Sequence, residues 1–469
     1  MPICLHKPGL PRRGRAVITA RAAGHGLALL LALLSAIVGV QRAAAQTAAT
    51  APPAATITAW APQVRHGASP PNSLKTQVKS DGYSEIPKSA SAQAVSATLA
   101  GDAKQTVFHL QLTKGVTAEI FTLAKPYRVI VDLPDVGFQL ADGTGQSGQG
   151  LITAFRYGQF AEGKARIVLD AARPVLISKA GMTALAAGAG VDLAIVLEPT
   201  SEQTFGGGTG PAAKEPDAAP ANPLQNQPNR AKPVILIDPG HGGIDGGAVG
   251  SPALIEKNVV LAVAKELQRQ LVKRNRYDVR MTRATDVFVS LDRRLKMSRD
   301  AGADLFISLH ADAIADPNFM QTVRGATVYT LSERASDEQA RRMAEKENAS
   351  DLIAGLDGTG GEGGGEVKGI LIDLMKRETA NFSADFSTTL VGSLKRTVRL
   401  SRDPQRSAAF KVLKQTNAPS VLLELGYLSH DEDQKLLGSP AWQRSTASSV
   451  ADAVDAFFAK RNTGAANQP

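Results

Sequence analysis

The sequence has one cysteine, Cys4, placed in its first few residues. If those residues are removed, no disulfide can form, and thiolate metal ligands and cysteine nucleophiles are excluded. Acidic residues are missing from positions 1–45, which hold Lys7, Arg12, Arg13, Arg15, Arg21 and Arg42. Those six supply most of the formal charge of +9, and the remainder sets 47 basic residues against 44 acidic ones. Binding to nucleic-acid phosphates needs basic side chains gathered on one face, and a balanced mixture does not supply it. Nucleic acid is therefore not an expected partner. A long apolar run is also missing. Gly26–Val40 has 15 residues, short of the roughly 20 needed to cross a bilayer, and no later segment compensates.

The first 45 residues contain a basic start, then that apolar run, then Ala43-Ala44-Ala45 ahead of Gln46. Segments in this order read as a secretory signal cleaved near Ala45/Gln46. The expected mature chain is soluble outside the cytoplasm and does not span the membrane. Arg12-Arg13 sit far from the apolar run, and Sec and Tat export both stay open.

With 469 residues about two or three domains fit, and 43% hydrophobic residues exclude a wholly disordered chain. Residues 46–92, rich in Ala, Pro and Ser, read as a linker. Across 93–200, short runs such as Val107–Leu112, Arg128–Leu133, Ala165–Asp170 and Val191–Leu197 are separated by turn clusters. This spacing predicts a small all-β sandwich. His109 there reads as a strand-face residue, with no partner at ligand spacing. Residues 201–232 read as a second linker, long enough to keep binding apart from chemistry. From 233 to 461 strands and helices alternate. Val234–Asp238, Val279–Thr282, Asp304–Leu309, Thr327–Leu331, Phe410–Leu413 and Val421–Leu425 read as strands. Leu291–Ala301 reads as a helix, as does Glu256–Arg274, with Val260, Val263, Ala264, Leu267 and Leu271 on one face. The fold class is thus α/β, a mostly parallel sheet with helices on both faces. An insertion at 333–406 interrupts it, and 462–469 form a tail.

Two of these strands run into a histidine. Ile237-Asp238-Pro239-Gly240-His241-Gly242-Gly243 ends the first, and Ser308-Leu309-His310-Ala311-Asp312 ends the third. In a parallel sheet both ends lie on the edge where open α/β sheets bind ligands, so His241 and His310 can converge. Glu256 opens the helix after the first strand and can add a carboxylate, although a Glu in a first turn also suits the helix dipole. Two His and one carboxylate around an open position make a hydrolytic Zn²⁺ site. Glu424 lies within the apolar strand Ser420-Val421-Leu422-Leu423-Glu424-Leu425. A carboxylate buried there needs a partner and can serve as general base on the attacking water; the alternative is a solvated strand face. Two further motifs are set aside. Gly358–Gly363 matches a dinucleotide fingerprint without a preceding strand, and His430 reads as an exposed helix start.

IDPGHGG, Glu256, SLHAD and LLELGYLS, in that order, resemble the zinc-dependent N-acetylmuramoyl-L-alanine amidases over residues 233–461. The resemblance implies zinc ligation by His241, Glu256 and His310, catalysis by Glu424, and hydrolysis of the amide between N-acetylmuramic acid and L-alanine in peptidoglycan. RVIVDLP and the later ITAFRYGQF…KARIVLD resemble an AMIN domain, which implies targeting to peptidoglycan or the division site. The combination is similar to the AmiC and AmiB kind of periplasmic cell-division amidase. Another zinc hydrolase such as a carboxypeptidase, or a non-catalytic wall-binding scaffold, are the alternatives.

Within the insertion, the composition of Ser336–Asp351 favours a solvated charged helix, but Ala340, Met343, Ala344 and Glu347 share one helical face, which would turn Glu347 inward. Glu345 competes, on a second stripe with Ala349, Leu352 and Leu356. The resemblance to amidases with a blocking helix selects Glu347 as an autoinhibitory carboxylate. It further implies a hinge at Gly355–Gly365 and, at Ile370–Met375, a surface for a LytM-domain activator.

Overall fold

The structure, a computed structural model, describes residues 76–78, 91–209 and 232–466, except 189, 252, 253, 315, 357–369 and 416, with backbone only at 76–78, 187, 370–376 and 462–466. The signal sequence, the Gly358–Gly363 match, most of the expected hinge and the side chains of Ile370–Met375 lie outside the described residues.

The N-terminal part is a sandwich of two five-stranded sheets. Its strands are β1 (Thr76–Val78), β2 (Ala92–Gly101), β3 (Thr106–Leu112), β4 (Ala118–Leu123), β5 (Arg128–Pro134), β6 (Val136–Phe138), β7 (Ile152–Ala161), β8 (Lys164–Ala171), β9 (Val175–Ala184) and β10 (Val191–Pro199). One sheet has the order β1-β4-β5-β8-β7 and the other β6-β2-β3-β10-β9. Alternation explains the core. Phe108, Leu110 and Leu112 of β3 point inward and are fully buried, as are Val129, Val131 and Leu133 of β5 and Ile167 and Leu169 of β8. Both expected linkers are shorter than their composition indicates. β1 falls inside 46–92 and pairs with β4. Ser201 caps a short helix, α1 (Glu202–Phe205), and Phe205 packs edge-on against Tyr127 at 5.1 Å. His109 also has a partner after all, Asp192 on the neighbouring strand at 2.8 Å.

The C-terminal part is a six-stranded sheet in the order β12-β11-β13-β16-β14-β15. The strands are β11 (Val234–Pro239), β12 (Asp278–Met281), β13 (Leu305–His310), β14 (Ala326–Leu331), β15 (Leu400–Ala408) and β16 (Ser420–Glu424). All pairs are parallel except β14 against β16. The helices are α2 (Glu256–Arg274), α3 (Leu291–Ala301), α4 (Glu338–Asn348), α5 (Ser350–Ile353), α6 (Ile370–Leu394), α7 (Asp431–Leu437) and α8 (Pro440–Ala466). One sheet face, with Ile235, Ile237, Ile307 and Val421, is covered by α2, α6 and α8. The other, with Leu236, Phe306 and Leu422, is covered by α3 and α4. Coverage on both faces is why β11, β13 and β16 are buried along their whole length. No helix among the described residues is long and apolar enough to cross a membrane.

The strand expected at Phe410–Leu413 is instead a 3₁₀ turn, Lys411–Leu413, and its strand position is taken by β15 inside the expected insertion. The apolar residues Phe410, Val412 and Leu413 serve the core under α3 and α4. β15 is polar because it is an edge strand, where Pro404 can be accommodated without losing a ladder bond on both sides.

The sandwich packs directly against the C-terminal part, although the 201–232 linker is long enough to keep the two apart. The Gln159 carbonyl of β7 accepts hydrogen bonds from Ile244 N (3.3 Å) and Phe288 N (3.2 Å), which places the sandwich edge against the turn that follows β11.

Candidate metal centre

β11 leads into the turn Gly240-His241-Gly242-Gly243, in which His241 adopts a left-handed backbone conformation (φ 58°) that costs free energy for a non-glycine residue. Two buried arginines hold it. Arg294 donates from Nη2 to the His241 carbonyl (2.8 Å), and Arg283 donates from Nη2 to the Gly240 carbonyl (2.8 Å). Arg294 is itself fixed by Asp238 at 2.5 Å, which also accepts from Thr282 (2.6 Å) and Ser308 (2.8 Å). Arg294→Ala would leave Asp238 a buried charge without its counter-charge. It is expected to cost about 3–5 kcal/mol of stability, measurable as a lower urea midpoint.

The tight turn lets three elements converge. A side chain on Gly240 would lie 2.4 Å from the His310 ring, and one on Gly247 would lie 2.6 Å from the Glu256 carboxylate. Glycine at both positions is what allows the close approach. His310 ends β13, level with Glu424 at the end of β16. Glu256, the first residue of α2, is fully buried. Its Oε1 lies 3.2 Å from His241 Nε2 and 3.2 Å from His310 Nδ1. The ligand atoms of His241, Glu256 and His310 all fall within 4.8 Å of one another.

His241 Nε2 and His310 Nδ1 are buried without a hydrogen-bond partner, which is costly unless something else fills the space between them. The other His241 nitrogen, Nδ1, meets Asp245 at 2.9 Å, and Glu256 accepts from the amides of Ala248 and Ala311, each at 2.8 Å. Burial disfavours charge on all these groups. Even so, Asp245, Glu256 and Glu347 together raise the His241 pKa well above its ordinary value, and His241 and His310 hold Glu256 well below its own. Sequence reasoning missed Asp245, Arg283 and Arg294. Asp245 stands four positions after His241, the one local signal that was available. Asp245→Asn is expected to weaken metal binding or turnover by about 10–100-fold, the usual cost of losing a group that orients a ligating histidine. Titration with Zn²⁺ and the hydrolysis rate would both report it.

The N-acetylmuramoyl-L-alanine amidase family profile matches residues 235–456, and the AMIN domain profile matches residues 98–182. AmiA of Escherichia coli K12 is 36% identical over 228 residues, which span 48% of this chain and 76% of that protein. AmiC of Escherichia coli O6:H1 (strain CFT073) is 30% identical over 393 residues, 80% of this chain and 92% of that protein. AmiC of Neisseria meningitidis serogroup B is 31% identical over 368 residues, 74% and 86% respectively. The chain belongs to the N-acetylmuramoyl-L-alanine amidase family.

In the amidase, Glu424 is fully buried. Its Oε2 accepts from Asp312 N at 3.0 Å, and Oε1 has no partner. Burial first, then the charges of Asp312, Glu256 and Glu347, push its carboxyl well above the usual range. Glu347 reaches the same centre from α4. Asp337 caps that helix by accepting from Ala340 N (2.9 Å), and Ala340, Met343, Ala344 and Glu347 form its buried face. Glu347 Oε2 lies 3.4 Å from His241 Nε2 and 3.1 Å from His310 Nδ1. The neighbouring Lys346 pairs with Asp312, and Ser350 and Asp351 bond to Asp245 and to Leu291 N. Glu345 points away and pairs with Arg341 in solvent. The space left beside His241, His310 and Glu347 is about 10 Å³, room for no more than one water. His430 does start a helix, α7, and accepts from Glu432 N through Nδ1 (3.1 Å). It is buried rather than exposed, because the helix start packs inward.

Proposed function

We propose that the amidase hydrolyses the amide joining the lactyl group of N-acetylmuramic acid to the L-alanine of the stem peptide, in a zinc-dependent reaction. His241, Glu256 and His310 would hold the metal. The observation that carries this is the set of buried, partnerless imidazole nitrogens beside a carboxylate at the sheet edge. The four separations of 3.1–3.4 Å among His241, His310, Glu256 and Glu347 bring these donor atoms close enough to share one ion. When bound, Zn²⁺ supplies a Lewis acid that polarises the scissile carbonyl and acidifies the attacking water. Glu424 takes the proton from that water and returns it to the leaving amine of L-alanine. Its burial and acidic neighbours make it a good proton acceptor and, once protonated, a competent donor. Asp245 orients His241 so that Nε2, not Nδ1, faces the centre.

The same distances support autoinhibition. A catalytic zinc keeps one position open, whereas a closed four-ligand set is the mark of a structural site. Glu347 closes the set, and the remaining space excludes a substrate carbonyl. Activity therefore needs a partner that prefers the state with α4 withdrawn. A LytM-domain activator acting through Ile370–Met375 would fill that role. Export through residues 1–45 and septal wall splitting complete the reading. N-terminal sequencing of the exported protein is expected to begin near Gln46, and recovery of Met1 would refute cleavage.

Mass analysis of digested sacculi tests the activity. Free stem peptides with intact glycan are the expected products. Shortened stems would indicate a peptidase, and no change in the presence of activator would indicate a scaffold.

A further inference from the structure

The segment that follows Glu347 ends against the AMIN sandwich. Leu352, Ile353, Ala354 and Gly355 present backbone carbonyls at the C-terminal end of α5, where a helix has no partners of its own and carries partial negative charge. Three arginines on adjacent strands receive them. Arg128 of β5 donates to the Leu352 carbonyl (2.8 Å), Arg156 of β7 to Ile353 (2.6 Å) and Arg166 of β8 to Ala354 (3.0 Å). Arg156 and Arg166 are held in place by bidentate pairing with Asp170 and Asp132. Ala354 is fully buried among Ile130, Val168, Phe121 and Phe288. A side chain on Gly355 would strike Ile130 at 2.6 Å. This contact explains why β5 is buried on both faces: Val129, Val131 and Leu133 face the sandwich core, while Ile130 faces the segment.

We propose that the outer face of the AMIN sheet is the receptor for residues 352–356, and that this docking holds Glu347 in the metal centre. The AMIN sandwich is thereby a clamp on the plug. The inference rests on the autoinhibitory reading given above. Only short spacing separates Glu347 from the docked carbonyls, and between them Ser350 and Asp351 are tied to the catalytic domain. α4 therefore cannot withdraw while the segment stays on the sandwich. Whatever separates the sandwich from the segment favours the open state.

The test uses the full-length protein, without activator, with zinc content checked for each variant. Arg156→Ala weakens the receptor side. Ala354→Glu weakens the segment side and leaves the sandwich untouched, so its fold is not in question. Both are expected to raise basal stem-peptide release by at least about fivefold, the lower end of usual coupling between sites. Both should also speed amide hydrogen exchange across residues 338–354. Adding Ala354→Glu to Glu347→Ala should give no further activity, because the plug is already gone. If Glu347→Ala raises activity while both clamp variants behave as the parent, the clamp is wrong and the plug stands. If exchange rises in the clamp variants without any rise in activity, docking does not control the site and the proposal fails. If Glu347→Ala itself has no effect, the autoinhibitory reading fails, and exchange still reports whether the segment is held by the sandwich.

Discussion

Glu424→Gln is expected to bind zinc like the parent protein and to lose hydrolysis by about 10²–10⁴-fold, the usual contribution of a positioned general acid–base group. Glutamine keeps the shape of the side chain and can still accept from Asp312 N, which now bonds to Glu424 Oε2 at 3.0 Å. It cannot take a proton from water. The carboxylate stands in a crowded acidic site, with Asp312, Glu256 and Glu347 all raising its pKa. Neutralising it therefore relieves repulsion and should leave the fold at least as stable. His310→Ala provides the contrast. It removes one of the two partnerless nitrogens that face Glu256 and should lose metal and activity together. Zinc stoichiometry and sacculus digestion on both variants decide the matter. Equal metal loss in the two would contradict the separate roles given to them.

Glu347→Ala is expected to raise basal activity by about 5–150-fold in the absence of any partner, the range over which one site commonly controls another. The carboxylate is buried at 5% exposure in a site that already contains Glu256 and Glu424. Burial raises its pKa, and His310 and His241 only partly offset this. Its presence is thus costly unless a cation or the imidazoles compensate, and alanine removes the cost along with the obstruction. Glu345→Ala is the control. Glu345 lies on the exposed side of α4 and pairs with Arg341, so its loss should leave the basal rate unchanged. Substitutions at Leu371 or Leu374 should abolish activation by the partner and spare the basal rate. Should Glu345→Ala activate instead, the obstruction is real but the wrong carboxylate has been assigned to it.

Local pattern alone determined much of this protein. Short apolar runs between turn clusters marked β3, β5, β8 and β10 of the sandwich, and the 3.6-residue stripe of α2 specified its buried face. His241, Glu256 and His310 were legible as candidates because each sits at the end of a strand or the start of a helix, and Glu424 because a carboxylate interrupts an apolar strand. Parallel topology puts such ends on one edge. Glu347 was legible only as one of two choices, since helical spacing allowed both Glu345 and Glu347 an inward stripe. Packing of Ala340 and Met343 beneath the sheet edge decided which stripe faces in.

Tertiary structure alone decided the rest. Arg283 and Arg294 carry no motif, and the motif that contains Asp238 does not reveal its partners. The three matter because they meet, buried, around a turn whose strained conformation needs several hydrogen bonds at once. β15 could not be read as a strand, because Leu400–Ala408 is mostly polar and shows no apolar alternation, and Phe410–Leu413 misled because core residues need not be strand residues. Least legible was the union of Arg128, Arg156 and Arg166 with carbonyls about 200 positions away. Backbone carbonyls leave no trace in side-chain pattern. Composition marked the linker and not where its two ends come to rest.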